Sequence, residues 1–374
     1  MTGKLLDDCF LHDGQRLLHA EALALLKGRI APVCGVERVA LGDVQGRIWQ
    51  NPWSQSSPCQ RTNSAVDGYA FAFADYDAAA GSRLTLGGRV VAGGALEAPV
   101  TRGSAVRIFT GAAVPQGLDT VVMQEDVAVD DRDGVHSVQI PAGLKQAANV
   151  RKAGEDVKAG HRLFEGGHRV RPQDVGALAS IGASQVACYS RLKVAVVSTG
   201  NEVVRPGGAA LRHGQVYDAN APMLAALLRQ ADIAITDLGV LPDQPDVIRR
   251  ALEEAAQRFD VVITTGGASR GEEDHLAAAI DALGKRHFWQ LAIKPGRPMM
   301  FGQIGDAIIV GLPGNPVAVL VCALMYVWPM LSRLAGGAWL NRVGCCCQPP
   351  SHSQDGKSAA ANSGGASWSR LRLV

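Results

Sequence analysis

This sequence lacks any marked excess of positive or negative charge. Its 374 residues carry 37 Lys and Arg against 35 Asp and Glu, a formal net charge of +2. That balance gives no electrostatic basis for binding nucleic acid or a membrane surface. Paired CxxC motifs are also missing. Five of the eight cysteines are scattered (Cys9, Cys34, Cys59, Cys188, Cys322), and Cys345, Cys346 and Cys347 adjoin one another, poorly placed to pair together. Reduced thiols in a cytoplasmic protein are the simplest expectation. The opening residues MTGKLLDDCF carry acids where a secretory signal needs an apolar core. The longest apolar run, Val317 to Leu331, is shorter than the roughly 20 residues of a membrane-spanning helix. It reads as a buried core helix. What remains is an ordinary globular composition, 47% hydrophobic, with length for roughly two or three domains.

The pattern along the chain changes near its middle. Residues 15–27 (QRLLHAEALALLK) predict an amphipathic helix with Leu18, Ala22, Leu25 and Leu26 on one side. Between about 80 and 150, short Val/Leu/Ile runs alternate with Gly-rich turns, as a β-rich module requires. Residues 161–182 close this half, with Pro172 opening a short helix and Gly182 ending it. Beyond that, apolar runs at 193–198, 233–240, 260–264, 287–293 and 307–310 alternate with helical segments near 219–231, 244–258, 272–283 and 316–334. Such alternation predicts βαβ units and a mostly parallel sheet. The expected fold is a doubly wound α/β domain at 191–335, preceded by an N-terminal linker region at 1–190 that carries the β-rich module. Residues 336–374, rich in Ser, Gly, Ala, Pro and Cys, form an irregular tail with no sustained periodicity.

Four signals carry chemistry. The first is DVVITTGGASRGEEDH, Asp260 to His275. A buried strand, a loop built on Gly266, Gly267 and Gly271, and a helix start would point backbone N–H groups at an anion. The loop lies where open α/β sheets place their ligands. A Walker reading fails, because Glu272 and Glu273 replace the required Lys and Ser/Thr. Gly267 to Gly271 also fits the GxSxG elbow of serine hydrolases through Ser269, but no HGGG-like loop lies upstream and the later histidines are badly placed. The second signal is KPGRP, in which Lys294 and Arg297 suit an oxyanion or equally a solvated basic turn. The third is GLPGNP, a strand-to-helix corner in which Asn315 can cap and Pro316 can take the first helical position. The fourth is a set of acids: Asp67, Asp156, Glu202, Asp243 and Asp274. Carboxylates beside an anion site make sense when Mg²⁺ mediates between them. Singly, each acid reads more readily as a cap or a surface charge, Asp243 before Pro245 most of all; Asp218 in VYDAN is another expected cap or turn residue.

Taken together, SAVDGYAF, RIFTGAAVPQGLDTVVMQED, VRKAGEDVKAG, VVSTGNEV, VYDANAPML, TTGGASRGEEDH, AIKPGRP and GLPGNP resemble, in order, the motifs of the molybdopterin molybdenumtransferases, the family that includes the E domain of gephyrin. The similarity runs from about residue 10 to 336. The resemblance implies an elongated homodimer that takes adenylylated molybdopterin and molybdate, inserts molybdenum at the dithiolene with help from Mg²⁺, and releases AMP. It implies a cleft shared between subunits, with Asp67 and Asp156 facing the partner's α/β part. Glu202, Asp243, Asp274 and Lys294 would come from the α/β part itself, with Pro313 and Pro316. On this reading Asp243 and Asp274 position metal or water, Lys294 and Arg297 bind oxyanions, and Gly266, Gly267, Ser269 and Asn315 complete the substrate site. Two residues depart from the family pattern: Gln290 stands where many relatives carry Lys, and Arg270 where many have a small apolar residue. The irregular tail stands in place of the family's C-terminal β domain. A non-catalytic or impaired molybdopterin binder is therefore the alternative to a working transferase.

Overall fold

A computed structural model describes residues 18–339, except 51–52, 55–61, 97, 133–134, 209, 231, 267–274 and 291–297. The first half contains α1 (His19–Arg29), β1 (Val36–Ala40), β2 (Trp53–Ser54), β3 (Asn63–Ser64), β4 (Gly68–Phe71), β5 (Ser82–Val90), β6 (Ser104–Ile108) and β7 (Thr120–Met123). It continues with β8 (Ala128–Arg132), β9 (Val135–Ile140), β10 (Val150–Arg151), β11 (Arg162–Phe164), α2 (Pro172–Ser180) and β12 (Gln185–Tyr189). The second half holds β13 (Leu192–Thr199), β14 (Val203–Val204), β15 (Val216–Tyr217), α3 (Asn220–Leu228), β16 (Ile233–Leu241), α4 (Pro245–Arg258) and β17 (Val261–Thr265). There follow α5 (His275–Leu283), β18 (Lys285–Gln290), β19 (Pro298–Ile304), β20 (Ala307–Leu312), α6 (Pro316–Cys322) and α7 (Trp328–Leu334).

The second half is built on one six-stranded sheet in the order β16-β13-β17-β20-β19-β18. The first four strands are parallel, and β19 and β18 run antiparallel at one edge. Alternate residues of β13 face opposite cores. Leu192, Val194 and Val196 pack with α1, α3, α6 and α7, whereas Ala195 and Val197 pack with α4 and α5. Helices on both faces make the sheet doubly wound, as its near-continuous apolar strands require. The strand β19 was not foreseen, because Pro298 and Gly302 break its apolar pattern. A Cβ at Gly302 would lie 2.7 Å from Ile280 Cγ2, so glycine permits α5 to approach the sheet.

The helical stretch from Pro316 to Leu334 is apolar enough to cross a membrane by length and composition, yet 67% of its most apolar window is buried. It is the core helix expected from the sequence. A π turn, Ala323–Val327, joins α6 to α7, and Trp328 N–H donates to Ala323 O five residues back. Pro329 cannot donate to a carbonyl and crowds the preceding turn, which accounts for the wider loop.

The first half contains a second six-stranded sheet, β7-β4-β6-β5-β9-β8, in which only the β5–β6 pair is parallel. This is the β-rich module, and it begins earlier than residue 80: GYAF, read as part of an acidic motif, forms the interior strand β4. Around it, β1 pairs with β12, β3 with β10 and β2 with β11. Pro172 opens α2 and Gly182, at φ 77°, follows its end as expected. The helix α1 starts at His19, so Leu18 is not on its buried side; it is 58% exposed, and its N–H donates to Glu21 Oε2 at 3.0 Å. Ala22 and Leu26 are buried in the second-half core. The halves are further joined by Arg169, which makes a bidentate pair with Asp232 at 2.5 and 2.8 Å. The tail from residue 340 onward lies outside the described residues.

Candidate functional site

Parallel strands end on one side of a sheet, so the segments following β13, β16, β17 and β20 share an edge. The structure ties these segments together there. Asn201 N–H donates to Asp243 Oδ2 and Asp243 N–H to Asn201 Oδ1, both at 3.1 Å. Gly266 N–H donates to Leu312 O at 3.2 Å, and Asn220 Nδ2 to Gly314 O at 2.9 Å. The packing is tight. Gly266 sits at φ 90°, and a Cβ on it would meet Thr199 O at 2.6 Å. Gly200 sits at φ 141°, and a Cβ there would meet Glu202 Oε2 at 2.7 Å, so the exposed carboxylate of Glu202 folds back over it.

Beneath this edge lies a buried polar layer that sequence reasoning missed. Asp218 is 5% exposed. Its Oδ1 accepts from Asn220 N–H and Ala221 N–H at 3.0 and 3.1 Å, so it satisfies the first two N–H groups of α3 from the position before the cap residue Ala219. Its Oδ2 accepts from Ser198 Oγ at 2.6 Å and pairs with Arg205 at 2.9 Å. Arg205 also pairs with Asp237, and Thr265 Oγ1 donates to Ser198 Oγ at 3.2 Å. These donors replace the water that burial removes from the carboxylate. The available signal was the pair of hydroxyl residues closing two otherwise apolar strands, VVST and VITT. Asn220 Oδ1 is buried in the same layer with no partner among the described residues, and Thr264 Oγ1 is likewise buried without one on the opposite face of the sheet.

Asp243 is not the cap of α4. Proline takes the first helical position, which makes Gln244 the cap residue, and the Asp243 carboxylate turns to Asn201 instead. Asn315 does cap α6: its Oδ1 accepts from Val317 and Ala318 N–H at 2.9 and 3.2 Å, with Pro316 at the first position and Pro313 buried behind. Gly267, Ser269, Arg270, Asp274, Lys294 and Arg297 lie outside the described residues. Their described neighbours stand as follows. Gly266 is at the site edge, and Gln290 and Pro298, which flank 291–297, are paired. Pro298 begins β19 on the side where the antiparallel β20 ends.

Asp67 and Asp156 sit elsewhere. Asp67 Oδ1 accepts from Thr110 N–H at 2.8 Å and Thr110 Oγ1 at 2.7 Å, bonds that hold its carboxyl below the usual range. Asp156 is exposed in the turn after β10. Among the described residues no hydrogen bond or ion pair joins either acid to Glu202 or Asp243. No group of three metal-ligating side chains occurs among the described residues. Among the described residues, Glu202 and Asp243 supply the carboxylates at the edge, a pair whose oxygen donors suit Mg²⁺, which takes one or two carboxylates beside substrate phosphates. Two of the thiols are poor nucleophiles: burial pushes Cys188 up to about 11 and Cys322 up to about 12.

Comparison with known proteins matches this geometry to a family. Residues 195–333 match the model of a probable molybdopterin binding domain, and residues 18–182 match that of the MoeA N-terminal region (domain I and II). The molybdopterin molybdenumtransferase of Haemophilus influenzae is 40% identical over 274 residues, covering 73% of this chain and 66% of the relative. That of Synechococcus elongatus is 32% identical over 330 residues, covering 84% and 80%. The molybdopterin biosynthesis MoeA protein of Pyrococcus horikoshii superposes with a TM-score of 0.75 at 30% identity, covering 86% of this chain and 81% of that one. With both halves matched in order and four-fifths of a relative spanned, the chain belongs to the molybdopterin molybdenumtransferase family.

Proposed function

We propose that this chain inserts molybdenum from molybdate into adenylylated molybdopterin and releases AMP. The observation that carries this reading is the meeting of STGNE, LPD, TTG and GLPGNP on one sheet edge, cross-linked by Asn201–Asp243 and Asn220–Gly314. A pyrophosphate linkage there needs amide donors, cations and metal-neutralised charge. Gly266, whose own N–H is taken by Leu312 O, turns the chain toward the phosphates, to which Gly267 and Ser269 offer backbone amides. Lys294 and Arg297 bind the oxyanion, and Pro313, Asn315 and Pro316 shape the opposite wall. Asp243 and Asp274 would hold Mg²⁺, which when bound offsets the charge that develops as the linkage breaks. Glu202 positions water or metal beside them. Asp67 and Asp156, unconnected to this edge within the chain, serve the cleft of a partner in a homodimer. The linker region to about residue 190 and the α/β part from 191 to 335 act as separate domains in that arrangement. The working compartment is a cytoplasm that keeps the thiols reduced.

The test is incubation of the full chain with adenylylated molybdopterin, Mg²⁺ and molybdate. AMP and active cofactor are expected. Asp243→Asn should lower the AMP rate on the order of a hundredfold without changing the melting temperature. Tight binding with no AMP release would replace the transferase reading with that of a non-catalytic binder.

A further inference from the structure

One face of the first-half sheet carries a feature that neither the core nor the reading above uses. On β6, Ala105 joins the buried cluster with Tyr69, Phe71, Leu84 and Val122. Arg107 and Phe109 continue the same alternation toward the end of the strand. In the neighbouring β5, Thr85 pairs with Ser104 and Leu86 with Ala105, but the next pair is Arg89 with Arg107. One extra residue is inserted, so Arg89 stands where regular pairing would put Gly88. The insertion rests on glycines: Gly88 has φ 146°, and a Cβ on it would meet Leu96 Cδ1 at 2.8 Å. Such a bulge re-aims a side chain at the cost of regular pairing.

Here it places two like charges directly opposite each other, an arrangement that is destabilising in a sheet. Both guanidinium groups lie over one ring. Arg89 Cζ and Arg107 Cζ are each 4.8 Å from the Phe109 centroid, and Arg107 Cζ is 4.9 Å from that of Tyr69. Arg107 donates to Gly68 O at 3.1 Å and to Gln124 Oε1. Arg89 is exposed, and among the described residues it makes no hydrogen bond or ion pair. Stacking on a ring holds a guanidinium by its face and leaves its N–H fork open at the edge. Across the sheet, Gly68 pairs with Ile108, which brings Asp67 and Thr110 to the same end.

We infer that Arg89 and Arg107, stacked on Phe109, form a binding site for a tetrahedral dianionic oxyanion beside Asp67. An oxyanion held by the open Arg89 fork and the remaining N–H groups of Arg107 offsets the repulsion that the bulge builds in. In the chain, Lys294 and Arg297 fall between β18 and β19 of the second-half sheet, so this is a second cationic station. Its ligand is either the phosphate of a nucleotide-linked substrate or molybdate itself. Only that choice of carrier rests on the transferase reading; the binding does not.

Calorimetric titration of the full chain at fixed ionic strength, with sodium molybdate and separately with inorganic phosphate, tests the site. Arg89→Met should weaken binding at least tenfold with an unchanged melting temperature. Arg89→Lys should fall between the two, because it keeps the charge but loses the fork. Tighter binding of molybdate assigns the site to the metal oxyanion, and tighter binding of phosphate assigns it to the nucleotide-linked substrate. Equal affinities of wild type and Arg89→Met, or no binding by wild type, would overturn the inference. AMP release by wild type, measured in parallel, separates the two ideas. Turnover with Arg89-independent binding removes this site alone, and Arg89-dependent binding without turnover removes only the transferase reading.

Discussion

Asp174 shows how far a single carboxylate can depart from its appearance in the sequence. It is 4% exposed, yet His168 Nε2 lies 2.7 Å from its Oδ2, which also accepts from Arg171 N–H and Nε at 2.8 and 3.0 Å. Burial pushes its pKa up, but the hydrogen bonds from Arg171 and His168 together outweigh that and hold it at about 2. A carboxyl held below its unfolded value stabilises the fold above about pH 4, and that contribution is lost as pH falls toward about 2. Denaturant titrations at about pH 5 and about pH 2 should therefore show Asp174→Asn losing about 2 kcal/mol less than wild type between the two. Equal losses would remove Asp174 from the acid response. At this scale the sequence is legible only in part. Asp218 and Asp243 both read as caps, and the capping residue for α4 was misplaced by one position because Pro245 already occupies the first helical turn. What surrounds a carboxylate is set by residues distant in the chain.

Elements were easier to read wherever their signals are local. Asn315 and Pro316 announce the start of α6, and both act there as expected. Replacing Asn315 by Ala removes the acceptor for two N–H groups and should lower stability by about 1 kcal/mol in chemical denaturation. A change below a few tenths would mean that water satisfies those donors equally well. The π turn between α6 and α7 was not legible, because its cause, Pro329, acts on a helix that the apolar pattern describes as continuous. Nor was β19, whose place at the antiparallel edge depends on its neighbours β18 and β20 rather than on its own composition. The bulge in β5 belongs to this class as well. LTLGGRVV shows two glycines, but the register that sets Arg89 against Arg107 exists only in the paired strands.

Across the whole molecule, the two halves are joined by polar contacts as well as by the packing of α1. The Asp232 side chain is 2% exposed where Arg169 grips it, and Arg169 also donates to Gly46 O at 2.9 Å. Val33 N–H reaches Leu334 O at 2.9 Å, and His19 Nδ1 meets Tyr326 Oη at 2.9 Å. Asp232→Ala leaves Arg169 unpaired and should cost about 3 kcal/mol. Loss of coincidence between fluorescence and circular-dichroism unfolding curves should accompany it as the halves uncouple. A cost under about 1 kcal/mol, with coincident curves, would show that the apolar packing of α1 suffices. The chain's own order of residues determined the strand–helix rhythm of the second half, the β-rich character of the first and the family of motifs, because periodicity, turns and caps act between near neighbours. Only the tertiary structure decided that Asn201 meets Asp243, 42 positions away, that Ser198 and Thr265 share a buried layer with Asp218, and that Asp67 is held by Thr110. Those meetings depend on parallel register and close packing, which arise when distant strands pair and are carried by no single segment.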